Sequence, residues 1–146
     1  MTPLVVHATT VAREGWGVLI RGASGTGKSA LGLELMALGL DLVADDRTEL
    51  VREGARVVAR CPAAIRGLIE ARGVGILRAE AVECAALALV VDLGEAEAER
   101  LPPWREAVLL GVSLPCLHKP LNGRFAAAIL QYLKAGRSVP VSPRHP

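Results

Sequence analysis

Eight consecutive residues, Gly22-Ala23-Ser24-Gly25-Thr26-Gly27-Lys28-Ser29, constrain this chain more than any other stretch, because they complete the Gly-x4-Gly-Lys-Ser pattern of a phosphate-binding loop. In such a loop the glycines let successive backbone N–H groups turn inward around phosphate oxygens. Lys28 supplies a mobile cation, and the Ser29 hydroxyl is a ligand for Mg²⁺. The flanks supply the required order of strand, loop and helix. Val18-Leu19-Ile20 is an apolar run, and between Ala30 and Leu38 the leucines and methionine recur at helical spacing. A helix starting there points its free N–H groups and the positive end of its dipole at the phosphates, and Gly39 stops it.

The 146 residues suffice for one domain with one core. We assign residues 1–138 to it and expect residues 139–146, with three prolines and no apolar anchor, to form a mobile tail. Hydrophobic residues make up 51% of the chain but aromatics only 3%, so Ala, Val and Leu must build the core. The formal net charge is +2 and no lysine-rich run or aromatic platform occurs, which argues against nucleic acid or anionic lipid as partner. Cys61, Cys84 and Cys116 are widely spaced and read as small buried hydrophobes rather than as a zinc site. The opening segment lacks a basic and then long apolar pattern, and no apolar run is long enough to span a bilayer, so a cytoplasmic location is expected.

Along the chain, a strand is predicted over Leu4 to Val11, then a turn at Arg13-Glu14-Gly15 and a strand over Trp16 to Arg21 that feeds the loop. Further strands are expected at Asp41 to Ala44, Thr48 to Val51, Arg56 to Ala59, Ile76-Leu77 and Ala86 to Val91, the last apolar throughout and so suited to a position covered on both faces. After Pro102-Pro103 the spacing predicts a short helix over Trp104 to Leu110. Pro115 and Pro120 bracket a short strand or loop, and Gly123 to Lys134 forms a final helix stopped by Gly136.

Phosphate-loop enzymes commonly place a magnesium-handling carboxylate at the end of an apolar strand. Two places qualify: Asp45-Asp46, seventeen residues beyond Lys28, and Asp92 after Leu87 to Val91. Adjacent side chains on an extended chain face opposite ways, so one member of the Asp45-Asp46 pair can face the phosphates while the other holds local backbone or a basic side chain. A general base for a substrate hydroxyl is the phosphate-facing one. Asp92 reads as structural.

Taken in order, the loop, Leu33-Glu34-Leu35, Gly39 and Leu42-Val43-Ala44-Asp45-Asp46-Arg47 resemble the catalytic domain of bacterial HPr kinase/phosphorylase. Residues 69–76, Ile-Glu-Ala-Arg-Gly-Val-Gly-Ile, are similar to that family's Glu-Ile-Arg-Gly-x-Gly-Ile signature, with Ala71 in place of the usual isoleucine. The likeness runs from His7 to about Leu133 and corresponds to the catalytic part of longer family members; no segment resembles their additional N-terminal domain. Pro120 to Arg124 is similar to a shortened Pro-x-x-x-Gly-Arg loop associated with dephosphorylation, with Phe125 replacing the usual asparagine.

The resemblance implies an α/β phosphate-loop kinase domain of the HPr kinase/phosphoenolpyruvate carboxykinase type with a mixed sheet. It implies ATP and Mg²⁺ as cofactors, the carrier protein HPr as serine substrate, and a reverse reaction with inorganic phosphate that releases pyrophosphate. By the same likeness Lys28 serves the β- and γ-phosphates, Ser29 and Glu70 hold the metal, and Asp46 takes and returns the serine proton with Asp45 its neighbour. His7 and Arg100 fall near the family's histidine and catalytic arginine, and Arg124 in its dephosphorylation loop. A homo-oligomer, hexameric in the longer enzymes, is implied as well. Two other functions fit the residues themselves: a phosphate-loop kinase of another protein or a small metabolite, and a nucleotide-sensing module without turnover.

Overall fold

The structure, a computed structural model, describes residues 2–121 and 123–138. The segment 139–146 and Asn122 of the shortened loop lie outside the described residues.

The described residues form eleven strands and two α-helices, in chain order. They are β1 (Leu4–Val6), β2 (Ala8–Arg13), β3 (Trp16–Arg21), α1 (Lys28–Ala37), β4 (Asp41–Ala44), β5 (Thr48–Glu53), β6 (Arg56–Arg60), β7 (Leu68–Ala71), β8 (Gly75–Arg78), β9 (Cys84–Glu97), β10 (Glu106–Leu109), β11 (Val112–Pro120) and α2 (Phe125–Ala135). Nine strands form one mixed sheet in the order β1-β5-β6-β9-β3-β2-β4, with β11 pairing β9 and β10 pairing β11; β7 and β8 form a separate hairpin. The expected α/β class with a mixed sheet is therefore the one observed.

β9 is the spine. It runs parallel to β3 and β11 and antiparallel to β6. Its pairing with β3 steps from Gly17↔Leu87 to Val18↔Leu89, which leaves Ala88 as an extra residue. Such a bulge reverses the alternation of side chains. Ala85 and Leu87 consequently join one core layer with Val90, while Leu89, Val91 and Leu93 join the other. The predicted two-sided burial of this run follows directly, and the hydrophobic sequence packs helices against one face only. Leu31 and Leu35 of α1 and Ala126 and Ile129 of α2 pack there with Val18 and Ile20. The opposite layer is closed by strands, through Leu50, Val57, Leu109 and Leu114.

Three expectations change. The run Leu4 to Val11 is two strands broken at His7: β1 pairs β5, whereas β2 turns to pair β3 and β4. The predicted helix over Trp104 to Leu110 is instead the β10 strand, whose alternating exposed and buried residues hairpin onto β11 through Leu110 (φ 50°) and Gly111 (φ 78°). Two consecutive positive φ values match the tight turn that right-twisted strands require, and the short apolar run fitted either period. Cys84 is exposed, not buried, because it opens β9 at the sheet's rim; Cys61 is half-buried and Cys116 buried.

Ile129 is completely buried and anchors α2 to the sheet. Ile129→Ala is expected to lower the free energy of unfolding by about 2–5 kcal/mol in urea denaturation, and a loss near zero contradicts this seat for α2.

Candidate active site

The phosphate loop hangs between the C-terminal end of β3 and the first turn of α1. Gly22 sits at φ 148° against β9: a Cβ there would lie 2.8 Å from Thr26 Oγ1 and 3.2 Å from the Gly94 amide nitrogen. Only glycine lets the loop pass this close to the neighbouring backbone. Thr26 Oγ1 donates to the Ala23 carbonyl at 2.7 Å and braces the turn. α1 begins after Gly27 with no side-chain cap and no acidic residue in its first turn, so its leading amides and dipole are left to an anion. Lys28 Nζ donates to the carbonyls of Gly22 (2.8 Å) and Ala23 (3.1 Å), and so curls over the loop it serves.

Beyond the end of β4 the two aspartates part company. Asp45 is buried and accepts three hydrogen bonds: from Thr9 Oγ1 and Ser29 Oγ, each at 2.7 Å to Oδ1, and from the Glu70 N–H at 2.9 Å to Oδ2. One carboxylate thus ties β2, α1 and the β7–β8 hairpin together. The Arg47 N–H donates to the Asp45 carbonyl at 2.7 Å, closing a γ-turn with Asp46 at its centre at φ 69°. This turn, rather than strand alternation, swings the Asp46 side chain outward. The Ala8 N–H holds the Asp46 carbonyl at 3.2 Å and keeps the turn beside His7. Asp46 is 73% exposed and its nearest cation is Arg47, at 3.7 Å.

A cleft of about 830 Å³ brings these groups together. It is lined by His7, Thr9, most of the loop including Lys28 and Ser29, then Ala30 and Leu33 of α1, Asp46, and Glu70, Ala71, Arg72 and Val74 of the hairpin. His7, Lys28, Ser29, Asp46 and Glu70 therefore share one opening, and Asp45 is bonded to three residues of its lining, Thr9, Ser29 and Glu70. The donor set suits a magnesium ion that also binds phosphates. Ser29 spends its one proton on Asp45, which leaves the lone pairs of Oγ for a cation, and Glu70 adds an exposed carboxylate.

Three candidates lie elsewhere. Asp92 accepts from Arg21 Nε (3.0 Å) and the Gly94 N–H (2.9 Å), bracing β9 where it passes the loop, in keeping with a structural part. Arg100 is carried past the phosphate loop because β9 continues to Glu97, and it lines a second cleft of about 770 Å³ with Glu97, Arg105, His118, Phe125 and Tyr132. Arg124 precedes α2 and lines neither cleft. Thr9 is the residue that sequence reasoning missed; its signal was a pair of threonines, Thr9 and Thr10, inside an otherwise apolar buried strand.

In the second cleft Glu97 is buried and paired bidentately with Arg105, at 2.9 Å through both nitrogen contacts. The Arg105 hydrogen bonds hold the Glu97 carboxyl below its ordinary 4.5, against the opposing effect of burial.

An uncapped helix behind a glycine loop, a lysine curled over it and the Asp46 and Glu70 carboxylates in the same cleft define an α/β phosphate-loop protein of the nucleotide-binding class. The HPr Serine kinase C-terminal domain model matches residues 2–129. The chain belongs to that family. An HPr kinase/phosphorylase of Azoarcus sp. (strain BH72) is 42% identical over 141 residues, covering 86% of this chain and 45% of that protein. One from Cupriavidus metallidurans is 43% identical over 110 residues, covering 68% of this chain and 34% of that protein. This chain thus spans less than half the length of these relatives. The solved structure of the Hpr(Ser) kinase/phosphatase from Coxiella burnetii superposes with a TM-score of 0.75 at 26% identity, over 90% of this chain and 88% of that one.

Two outcomes follow from the geometry. Asp45→Asn sets an amide N–H₂ against either the Glu70 N–H or the two hydroxyls, and is expected to cost about 1–3 kcal/mol of stability and to speed hydrogen exchange at the Glu70 amide. Unchanged exchange there contradicts the tie. Glu97, depressed in the folded chain, contributes stability that is fully present above the unfolded value of 4.5 and is lost as pH falls through the lower folded value. The difference in melting temperature between the parent and Glu97→Gln is therefore expected to be constant above the unfolded value of 4.5 and to shrink as pH falls below it.

Proposed function

We propose that this chain is the phosphoryl-transfer domain of an ATP- and Mg²⁺-dependent serine kinase acting on the carrier protein HPr, and that it runs the reverse phosphorolysis of phosphoseryl-HPr to pyrophosphate. One observation carries the reading: the phosphate loop, Ser29 and Glu70 open onto the same cleft as the exposed Asp46, in a chain of the HPr serine kinase family. No helix among the described residues is long and apolar enough to cross a membrane.

The triphosphate is held by the loop amides and by Lys28, whose ammonium exchanges the Gly22 and Ala23 carbonyls for phosphate oxygens. Ser29 and Glu70 would hold the metal, which would supply charge neutralisation to the phosphoryl group being transferred. Asp46 accepts the proton of the attacking serine hydroxyl as the new P–O bond forms and the bond to the leaving diphosphate breaks. In reverse it returns that proton to the serine oxygen while inorganic phosphate takes the phosphoryl group. His7, next to the Asp46 turn, adds a hydrogen-bonding imidazole at the acceptor end of the cleft. Solvent-exposed Asp46 is free to meet a protein surface, whereas buried Asp45 is committed to three donors and serves as scaffold.

The test is the mass of purified HPr after incubation with the protein, ATP and Mg²⁺. A gain of one phosphoryl group on a serine is expected; ATP bound with HPr unchanged would favour the nucleotide-sensing module. Asp46→Asn is expected to lower kcat by at least about a hundredfold while an ATP analogue still binds, and parent-rate transfer by that variant removes Asp46 as base.

A further inference from the structure

We propose that Thr9 is a positioning residue for the metal-holding pair: its buried hydroxyl fixes the Asp45 carboxylate so that Ser29 and Glu70 face a magnesium ion together. The inference rests on the metal reading given under the proposed function and extends it to a strand residue that lines the same cleft and reaches the carboxylate from β2.

Thr9 is completely buried in β2, and its neighbours on the helix-covered face are apolar, Val11 and Leu31 among them. A hydroxyl in such surroundings is unfavourable unless it is satisfied. Valine has nearly the same shape and would fill the place without that requirement. The hydroxyl instead donates to Asp45 Oδ1 at 2.7 Å, the same oxygen and the same distance as Ser29 Oγ. Thr10, next in the strand, points into the other layer and is occupied with Thr48, whose own hydroxyl reaches the Ala8 carbonyl. Thr9 is thus the one hydroxyl that the sheet extends to Asp45 among the described residues.

The helix is placed to permit this. Gly32 lies in the interior of α1, where glycine is less favourable than alanine. A Cβ at Gly32 would stand 2.8 Å from Thr9 Cγ2. The close approach of α1 to β2 brings Thr9 and Ser29, one from each element, onto a single oxygen.

The consequence is orientational. Asp45 has two oxygens and three donors, from β2 and α1 on one and from the hairpin on the other. With all three in place its plane is fixed, the Ser29 proton points inward, and the Glu70 backbone is held at a set distance from Ser29. Without the Thr9 donor, Oδ1 keeps only Ser29, and the carboxylate is free to rotate and compete for the cation itself.

Isothermal titration with a non-hydrolysable ATP analogue, with Mg²⁺ and with EDTA, on the parent, Thr9→Val and Thr9→Ser separates the possibilities. Thr9→Val is expected to lose about tenfold or more of the Mg²⁺-dependent gain in affinity. Its metal-free affinity, which depends on the loop and Lys28, should stay at the parent value, and Thr9→Ser should restore the gain. Full retention of the gain in Thr9→Val, or equal losses with and without metal, overturns the assignment. So does a loss that follows the methyl group, with Thr9→Ser impaired and Thr9→Val normal. If Thr9→Val does not fold, Thr9→Ala provides the same comparison against Thr9→Ser. A parent protein that gains nothing from Mg²⁺ removes the metal reading instead, which is a different result from a gain that Thr9→Val leaves intact.

Discussion

A single buried carboxylate, Asp45, decides how the rest of this site is put together. A negative charge withdrawn from water is unfavourable unless donors replace the lost solvation. Asp45 obtains three, and they come from three elements far apart in sequence: β2, α1 and the β7–β8 hairpin. The requirement to satisfy that charge is thereby a requirement to dock the hairpin, which is outside the main sheet, against the end of β4 and the start of α1. Removing one donor loosens more than one contact, because all three elements bond the same carboxylate.

The neighbouring residue has the opposite design. Asp46 occupies a γ-turn with a positive φ, a conformation costing about 1–3 kcal/mol that persists where the surroundings enforce it. The Ala8 amide and the docked Asp45 supply that enforcement. Adjacent aspartates thus divide the work, with the buried one rigid and fully bonded and the strained one open to the cleft. His7 gains its place by a similar break in regular structure, at the point where β1 leaves for β5 and β2 turns toward β3.

Much of this was legible in the chain itself. The loop between an apolar strand and a helix announced its own geometry, and the continuous apolar run of β9 announced a strand covered on both faces. The signature segment drew attention to Glu70, which lines the cleft, although nothing local in Ile69-Glu70-Ala71 shows that its amide would reach Asp45. The failures have physical causes. Glu106 to Leu109 is too short for period alone to distinguish helix from strand, and its identity is set by pairing with β11. Arg100 was placed by likeness, yet the length of β9, governed by its pairing with β11, carries that arginine to another cleft. Thr9 escaped notice because a threonine in a strand is ordinary; its meaning appears only when the helix brings Ser29 to the same oxygen.

The most direct test of this arrangement is a crystal structure with Mg²⁺ and a non-hydrolysable ATP analogue. The account predicts phosphates along the amides of residues 22–29, the metal between Ser29 Oγ and the Glu70 carboxylate, and Asp46 facing the terminal phosphate, with Asp45 still bonded to Thr9. A metal bound directly by Asp45, or Asp46 turned away from the terminal phosphate, would contradict it.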